Sequence, residues 1–532
     1  MTDQIRDPSA ENDLFPQEVE GLPDATPTEV VPLPDGAAFS LSIGAVRKHV
    51  AGTPVRMLAY NGSIPGPLLR VRQGTTITVE VTNDADLEQT VHWHGPRLDN
   101  RFDGVPYETQ QPIPVGGRFV YQLRFPDPGL YWYHPHVRED YGQEMGLYGQ
   151  IIVDPTDTDY WPSVNREIAL TLDDVLLQDA RVPAFHRSGP THTMMGRFGT
   201  VLLVGGQTQP AFDVTRGEVV RLYLTNTANT RIFNAAVTGA TVKLVGGDSG
   251  RYEREELADS VIIAPSERAV VDVLFDRPGT ANLEHRTPND TSTLAGFTVA
   301  PGAASPSLAA GFRELRSNRE LTAERAGLTA HRDRAPDKTL RFAGEMDMGG
   351  MGMAGMDMTG REMAGMEGHD MGGMERDGME HMSHAEATDD GIEWEDTMPE
   401  MNVMSNRSNM SWKIIDAATG AVNREISWRF RVGDRVKIRL DNSAGSDHRM
   451  HHPFHIHGAG RFLVLDRGGV PEPNLAWKDT VLVRAGEVVD ILFDAGNPGR
   501  WMAHCHIAEH NESGMMFSFD VVQGAEPSEV AP

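Results

Sequence analysis

The sequence predicts an all-β protein built from three β-sandwich domains. Three stretches, "GTTITVEVTN", "GEVVRLYLTN" and "GDRVKIRLDN", each run from glycine to asparagine with apolar and polar residues in alternation. This period of two, rich in β-branched residues, is typical of strands with one buried face. A strand followed by a Pro-Gly turn also repeats, in "GGRFVYQLRFPDPG", "SERAVVDVLFDRPG" and "AGEVVDILFDAGNPG". Two landmarks repeated in the same order predict three sandwiches of similar plan.

The repeats also set the expected domain boundaries. The expected units are an N-terminal tail at 1–35, domain 1 at 36–156, domain 2 at 165–300, a linker at 301–338 and domain 3 at 339–523. Leucine and alanine at helical spacing in 305–335 predict a helix in the linker. A Met/Gly-rich insertion near 344–384 enlarges domain 3. We expect the N-terminal tail and the last ten residues to be loosely held.

Composition limits the class of partner and the compartment. The net charge is −28, from 48 basic and 76 acidic residues, and such a surface repels nucleic acid. No run of eighteen apolar residues occurs, so we expect no membrane span. The N-terminus, "MTDQIRDPSAENDLFPQ", lacks the features of a signal peptide. We expect a soluble protein, periplasmic or secreted if a leader has been removed and otherwise cytoplasmic.

Histidines recur at fixed offsets within the repeats. Five and seven residues after the glycine of the Pro-Gly turn, domain 1 has His134 and His136, and domain 3 has His504 and His506. Two further pairs, in "HWHG" and "HIHG", are His92, His94, His455 and His457. Alternate residues of a strand share a face, so these eight imidazoles predict a metal cluster between domains 1 and 3, suited to copper or zinc. Domain 2 lacks the pairs and is predicted to be a spacer without ligands.

The chain has a single cysteine, Cys505, between two cluster histidines. Its side chain points to the opposite face of the strand from theirs, so its thiolate can bind a separate metal ion. The expected partners are His452 and His510, with Met515 as a weak axial ligand. Two histidines and one cysteine with an axial methionine describe a blue-copper electron-transfer site. Because Cys505 is one peptide unit from each flanking histidine, it would connect the two sites.

The motifs "HWHG", "HPH", "HPFHIHG" and "HCHIAEHNESGM" resemble those of three-domain multicopper oxidases of the bacterial laccase and cuprous oxidase type. The resemblance spans about 36–523 and implies cupredoxin-like Greek-key domains that bind one type 1, one type 2 and two type 3 copper ions. The implied ligands are His452, Cys505, His510 and Met515 for type 1; His92 and His455 for type 2; His94, His134 and His506 for one type 3 ion; and His136, His457 and His504 for the other.

The resemblance also implies the reaction. Four one-electron oxidations at the type 1 copper would be coupled to reduction of O₂ to water at the trinuclear cluster, without an organic cofactor. Cys505, His504 and His506 would carry the electrons. Asp103, in "FDGVP", is the expected acid that assists proton supply, and its alternative role is that of a turn aspartate in an Asp-Gly pair.

Within the family, the sequence is most similar to the cuprous oxidases of copper tolerance. The similarity lies in "WKDTV", the "MAHCH…EH…SGMM" ending and the Met-rich insertion, which holds 12 of the 25 methionines. Two positions depart from that subgroup. His448 stands where an aspartate is expected, and Asn511, followed by Glu512, stands where an acid is expected after the last type 1 histidine.

The electron donor is left open between Cu(I) and organic molecules. Thioethers select Cu(I), which favours Met346, Asp347 and Met450 as ligands of a substrate Cu(I), whereas a flexible loop would tolerate methionine without binding copper. A laccase that oxidises phenols and aromatic amines is the main alternative. A copper-storage protein is disfavoured, because storage requires no cysteine flanked by cluster histidines. A copper nitrite reductase is disfavoured because it would lack the full set of paired histidines.

Overall fold

In the computed structural model, residues 13–347, 390–443, 446 and 448–524 are described. These residues form three β-sandwiches in chain order, so the all-β, three-sandwich prediction is confirmed. Each sandwich encloses an apolar core of its own. The alternation read from the sequence is the cause, because in each Gly–Asn stretch the apolar residues face the core; Ile77, Val79 and Val81 are buried.

Domain 1 supplies one wall of the candidate site. Its strands are β1 (Val30–Pro32), β2 (Ala38–Val50), β3 (Thr53–Tyr60), β4 (Leu68–Arg72), β5 (Thr76–Asn83), β6 (Val91–His94), β7 (Arg118–Arg124), β8 (Gly129–Pro135) and β9 (Gly149–Asp154). One sheet has the order β1-β4-β9-β8-β6 and the other β3-β2-β5-β7. The histidine-bearing strands β6 and β8 are antiparallel neighbours at one edge of the first sheet.

Domain 2 follows the same plan. Its strands are β10 (Arg166–Val175), β11 (Val201–Val204), β12 (Ala211–Arg216), β13 (Glu218–Asn226), β14 (Phe233–Thr238), β15 (Thr241–Gly247), β16 (Gly250–Leu257), β17 (Val261–Ile263), β18 (Arg268–Phe275), β19 (Gly279–Arg286) and β20 (Thr291–Ala303). The sheet orders are β11-β10-β13-β18-β15-β16 and β12-β20-β19-β14-β17.

Domain 3 repeats the strand order of domain 2. Its strands are β21 (Lys338–Met346), β22 (Met410–Asp416), β23 (Arg429–Arg431), β24 (Arg435–Asp441), β25 (His452–Ile456), β26 (Gly460–Arg467), β27 (Val470–Pro471), β28 (Thr480–Val483), β29 (Val488–Ala495), β30 (Gly499–Cys505) and β31 (Met516–Val522). The sheet orders are β22-β21-β24-β29-β26-β27 and β23-β31-β30-β25-β28. The histidine-bearing strands β25 and β30 are neighbours, like β6 and β8 in domain 1.

Helices are short and lie between strands. They are α1 (Glu139–Gly142), α2 (Ala309–Phe312), α3 (Arg319–Asp333), α4 (Pro399–Met404), α5 (Ala508–Glu512) and 3-10 turns at Asn100–Phe102 and Asn423–Glu425. Helix α3 is the helix expected in the linker, and it buries Leu321 and Leu328 against Leu463 and Trp477 of domain 3. No helix among the described residues is long and apolar enough to cross a membrane.

The N-terminal segment is held more firmly than the sequence suggested. Within 1–35, β1 pairs in parallel with β4, and Phe15 stacks on Tyr141 at a ring-centroid distance of 3.9 Å. The segment carries few apolar residues, so its docking through one aromatic ring left little signal in the sequence. Residues 1–12, most of the Met-rich insertion and 525–532 lie outside the described residues.

Candidate metal centre

Paired strands from domains 1 and 3 place the predicted histidines opposite one another. In domain 1, His92 on β6 is the cross-strand neighbour of His134 on β8. In domain 3, His455 on β25 is the neighbour of His504 on β30. Because each motif is a His-x-His pair on an extended strand, both of its imidazoles project from the same face. The two faces meet, and rings of the two domains come close, as for His94 and His455 with centroids 3.7 Å apart.

The eight histidines of the four His-x-His pairs are buried and close together. Three trios have ligand nitrogens within 4.8 Å of one another: His92–His94–His134, His92–His455–His457 and His136–His457–His504. The eighth ring, His506, lies 5.1 Å from the ring centroids of both His94 and His134. Among the described residues, no ligand group of this kind includes a residue of domain 2.

A second group forms on the other side of β30. The Cys505 Sγ lies 3.5 Å from Nδ1 of His452 and 3.7 Å from Nδ1 of His510. Helix α5 follows β30 after two residues and carries His510 back towards the thiol. Met515 is fully buried, and its backbone bonds to both neighbours: its N–H donates to His510 and its carbonyl accepts from Cys505. The four predicted residues therefore converge in one buried region.

Hydrogen bonds orient the cluster imidazoles towards one another. Most donate Nδ1–H outwards to an oxygen: His92 to Asp103 O, His134 to Pro135 O, His455 to Asp479 O, His457 to Asp103 Oδ2 and His504 to Cys505 O. The opposite nitrogens of His92, His134 and His455 are buried and have no hydrogen-bond partner among the described residues. Nε2 of His457 and Nε2 of His504 lie 3.1 Å apart. Inward-facing ring nitrogens that carry no proton and have no hydrogen-bond partner are able to bind a metal ion.

Family models identify this arrangement. Two models, both described as multicopper oxidase, match residues 44–158 and 394–525, which carry the two halves of the histidine cluster. Both segments belong to the multicopper oxidase family. Members of this family bind copper, and the donor set fits that metal, because imidazole and thiolate nitrogen and sulfur atoms are the ligands that copper prefers.

Relatives and solved structures are similar to this chain over nearly its whole length. Multicopper oxidase MmcO of Mycobacterium tuberculosis is 26% identical and the match covers 90% of this chain and 85% of the relative. Copper resistance protein A of Escherichia coli is also 26% identical, with 90% and 92% covered. The solved structure of a multicopper oxidase from Campylobacter jejuni is 21% identical, with a TM-score of 0.67 over 95% of this chain and 98% of that one, so it shares the fold.

Burial sets the protonation of the ligands. Desolvation lowers the pKa of His92 and of His457 to about 3, so both imidazoles are neutral at neutral pH and can bind a metal without first losing a proton. Burial also raises the pKa of the Cys505 thiol. Cys505, His452 and His510 would hold a metal ion only after the thiol loses its proton, so metal binding there would release a proton.

Two contacts of the cluster were not predicted. His94 is turned the opposite way from the rings above: its Nε2 lies 3.0 Å from Asp479 Oδ1 and its buried Nδ1 has no hydrogen-bond partner among the described residues. Asp479 in turn is held by Arg268 of domain 2. Asp479 lies in "WKDTV", but nothing in that stretch indicated contact with a histidine, and Arg268 is 211 residues away in sequence.

A second unpredicted carboxylate contacts the cluster where the sequence departs from the subgroup. Glu139, at the start of α1, lies 3.0 Å from Nδ1 of His136 and is fully buried. Desolvation raises its pKa well above the usual range, the charge of Glu512 adds to the rise, and the nearby Asn511 side chain opposes it. The acid expected at position 511 is therefore absent, but a carboxylate from domain 1 lies beside the amide that replaces it.

The structure brings Asp103 directly to the cluster. Its Oδ2 accepts from His457 and its backbone carbonyl accepts from His92, so one residue contacts a ring from each domain. It is also the residue that ends the 3-10 turn Asn100–Phe102, so the turn and the histidine contact coexist. Burial raises the pKa of Asp103 to about 6. Among carboxylates such a value is suited to proton exchange near neutral pH.

The structure brings together only some of the residues predicted to bind a substrate Cu(I). Met346 and Met450 both pack into the apolar core that contains Cys505 and Met515. Met346 ends β21 opposite Met410 on β22. Asp347 is exposed, and beyond it the Met-rich insertion lies outside the described residues.

Proposed function

We propose that this chain is a four-copper oxidase that takes electrons mainly from Cu(I) and reduces O₂ to water, in the service of copper tolerance. The proposed type 1 ligands are His452, Cys505, His510 and Met515. The proposed trinuclear ligands are His92 and His455 for type 2, His94, His134 and His506 for one type 3 ion, and His136, His457 and His504 for the other. When bound, the coppers accept single electrons from the donor and deliver four of them to O₂.

The protein itself connects the two sites, orients their ligands and excludes water from them. Cys505 and the histidines on either side of it belong to one strand, so the two sites are joined by a continuous covalent path. The oxygen acceptors described above fix the ring orientations before any metal binds. All these side chains are buried, which excludes water from the reacting centre.

Cu(I) is chosen as the main electron donor because the proposed type 1 histidines are covered by other side chains. These covering side chains are called the cover below. His452 and His510 are 1% and 0% exposed, so a bulky ring cannot contact either of them. Trp412 lies over both, with ring centroids 5.0 Å from His452 and 4.2 Å from His510. The buried methionines of the same core include Met194, Met195, Met410 and Met450. Thioethers are soft ligands that favour Cu(I), and a small ion fits where an aromatic donor does not.

His448 supplies a nitrogen donor at this cover. Its ring centroid is 6.2 Å from Trp412, and its Nε2 is buried with no hydrogen-bond partner among the described residues. Burial lowers the pKa of His448 to about 4, so the ring is neutral at physiological pH. Imidazole binds copper well, so the histidine that replaces the expected aspartate is a suitable ligand for substrate copper. The relative named copper resistance protein A supports the same role.

A second candidate function, oxidation of aromatic amines and phenols, is favoured by one cavity. This cavity of about 630 Å³ lies between domain 2 and α4, and its lining includes His192, Phe198, His285, Glu395 and Glu400. Met194 and Met195, next to His192, pack in the core that contains Cys505. An organic donor bound there would transfer its electron through the cover without contacting His510.

Rates for the two kinds of donor separate these functions. In Met450→Leu and in His448→Asn, we expect kcat/KM for Cu(I) to fall by about tenfold through a higher KM, because a copper ligand is lost. The kcat/KM for a bulky phenol should stay at the parent value, since no type 1 ligand changes. Met57→Leu, a buried methionine of the domain 1 core, is the matched control. Equal losses for both donors, or unchanged Cu(I) kinetics, would contradict the proposal.

The axial role of Met515 has its own test. We expect Met515→Leu to raise the reduction potential of the type 1 copper, because removing a weak sulfur ligand destabilises the oxidised ion relative to the reduced one. Redox titration of the blue absorption measures the shift. Met516→Leu is the control, since the neighbouring Met516 accepts a hydrogen bond from Arg424 instead. A potential that is unchanged or lower in Met515→Leu would exclude Met515 as axial ligand.

A further inference from the structure

Domain 2 contacts domain 3 through a segment of three consecutive residues in each domain. The segment 266–268 of domain 2 contacts 478–480 of domain 3, and Lys478 also pairs with Asp248 of domain 2 at 3.1 Å. The contacts are Ser266 Oγ to Thr480 Oγ1 at 3.1 Å, Lys478 Nζ to Glu267 Oε1 at 3.1 Å, and Arg268 Nη1 to Asp479 Oδ1 at 2.6 Å. The same "WKDTV" stretch that lies beside the cluster is therefore docked by a complementary stretch of the spacer domain.

Arg268 joins all three domains. Its Nε donates to the carbonyl of Leu130 in domain 1 at 2.8 Å, and its Nη1 donates to Ser266 O in domain 2 as well as to Asp479 in domain 3. The side chain is fully buried, and its other amino group contacts the second oxygen of Asp479. A guanidinium fork that binds both carboxylate oxygens fixes the rotation of that carboxylate.

Because its carboxylate cannot rotate freely, Asp479 in turn restrains rings of the histidine cluster. Its Oδ1 lies 3.0 Å from Nε2 of His94, and its backbone carbonyl accepts from Nδ1 of His455 at 2.9 Å. The carboxylate requires a proton on Nε2 of His94, which leaves Nδ1 free to face the cluster. Gly95 leaves room for the pair: a Cβ there would lie 2.7 Å from Asp479 Oδ2 and 2.9 Å from Arg268 Nη2.

We propose that Arg268 is a positioning residue for the trinuclear copper site and that domain 2, although it supplies no ligand, sets the tautomer and orientation of His94 through the Arg268–Asp479 pair. This inference rests on the proposed four-copper arrangement. Lysine at position 268 would keep the charge, but one ammonium cannot hold both oxygens of Asp479 and also reach Leu130 and Ser266. The carboxylate would then be free to rotate away from His94.

The test is copper retention in the copper-loaded protein. In Arg268→Lys, we expect the chelator concentration that removes half of the trinuclear copper to fall by about tenfold, the usual cost of losing a residue that orients a metal ligand. The type 2 electron paramagnetic resonance signal should change, while the blue type 1 absorption stays as in the parent. Asp479→Asn, which keeps the shape of the side chain but loses its charge for Arg268, should weaken retention in the same selective way and serves if Arg268→Lys does not fold.

Two control variants separate positioning from docking and from stability. Glu267→Gln weakens the adjacent Lys478 contact on the same docking surface without touching a histidine. Arg221→Lys breaks a buried two-point pair with Asp272, at 2.8 and 3.0 Å, inside domain 2. We expect both controls to retain trinuclear copper like the parent.

The possible outcomes are distinct. Parent-like copper retention in Arg268→Lys, or equal loss in the Glu267→Gln control, would overturn the positioning role. Loss of type 1 and trinuclear copper together in both Arg268→Lys and Asp479→Asn would also overturn it, because neither variant would then show a selective effect on the trinuclear site. If the parent itself bound no trinuclear copper, the proposed function would fail before the variants were compared.

Discussion

Replacing Cys505 with serine is expected to abolish the blue absorption and the oxidase activity while leaving the fold and the trinuclear copper in place. Cys505 is the only cysteine of the chain, so no other residue can supply the thiolate that produces the intense colour. A serine hydroxyl has nearly the same shape but does not ionise at neutral pH and is a hard donor, which copper of the type 1 kind does not favour. The covalent path remains, but the electron has no thiolate through which to enter it.

Copper content and stability are the measurements for this variant. We expect bound copper to fall by one ion per chain, and the type 2 resonance signal to persist because the histidine cluster lies on the other face of β30. The thermal midpoints of the copper-free parent and the copper-free Cys505→Ser should be close, since serine removes little volume and its hydroxyl replaces an Sγ that lies 3.5 Å from His452 Nδ1 and 3.7 Å from His510 Nδ1. A variant that remains blue, or that loses all copper together, would refute the separation of the two sites.

The grouping of the eight histidines was predictable because alternate residues of a strand project to the same side. A His-x-His pair on an extended strand must project both rings to one side, and a residue between them must project to the other. Thus His504 and His506 were separable from Cys505 by parity alone. The repeat then located the partner pairs in domain 1, since the same offsets from the Pro-Gly turn recur in both domains.

The residues that orient the ligands were not predictable, because their contacts depend on how the domains dock. Asp479 and Arg268 are neighbours only after domains 2 and 3 have packed together, and Glu139 reaches His136 only because α1 begins directly after β8. No periodicity links such residues. The methionines that pack around the proposed type 1 site were not predictable for the same reason, because Met194 and Met195 come from a loop of domain 2.

Domain 2 therefore contributes contacts beside both groups of candidate ligands. Its strands repeat the common plan without the histidine pairs, but its Arg268 reaches Asp479 and its Met194 and Met195 pack in the core that contains Cys505. A sequence comparison among the repeats reveals the missing ligands, whereas only the folded arrangement reveals these contacts.

Asp103→Asn is expected to slow turnover on the order of a hundredfold while reduction of the type 1 copper by the donor stays fast. Reduction of O₂ to water consumes four protons, and Asp103 is a buried carboxylate that contacts a ring from each domain of the cluster. Asparagine keeps the shape and can still present an oxygen to His457, but it cannot take up or release a proton. Ligand orientation should survive, and proton supply should not.

Stopped-flow kinetics distinguish the two half-reactions of Asp103→Asn. Anaerobic bleaching of the blue band by the donor should match the parent, and reoxidation of the reduced protein by O₂ should be slow. Asp99→Asn is the control, because Asp99 caps the same 3-10 turn and pairs with Arg101 at the surface without reaching a histidine. If Asp103→Asn turned over like the parent at every pH, Asp103 would be a turn residue only. If it lost trinuclear copper instead, its role would be to orient His457 and His92.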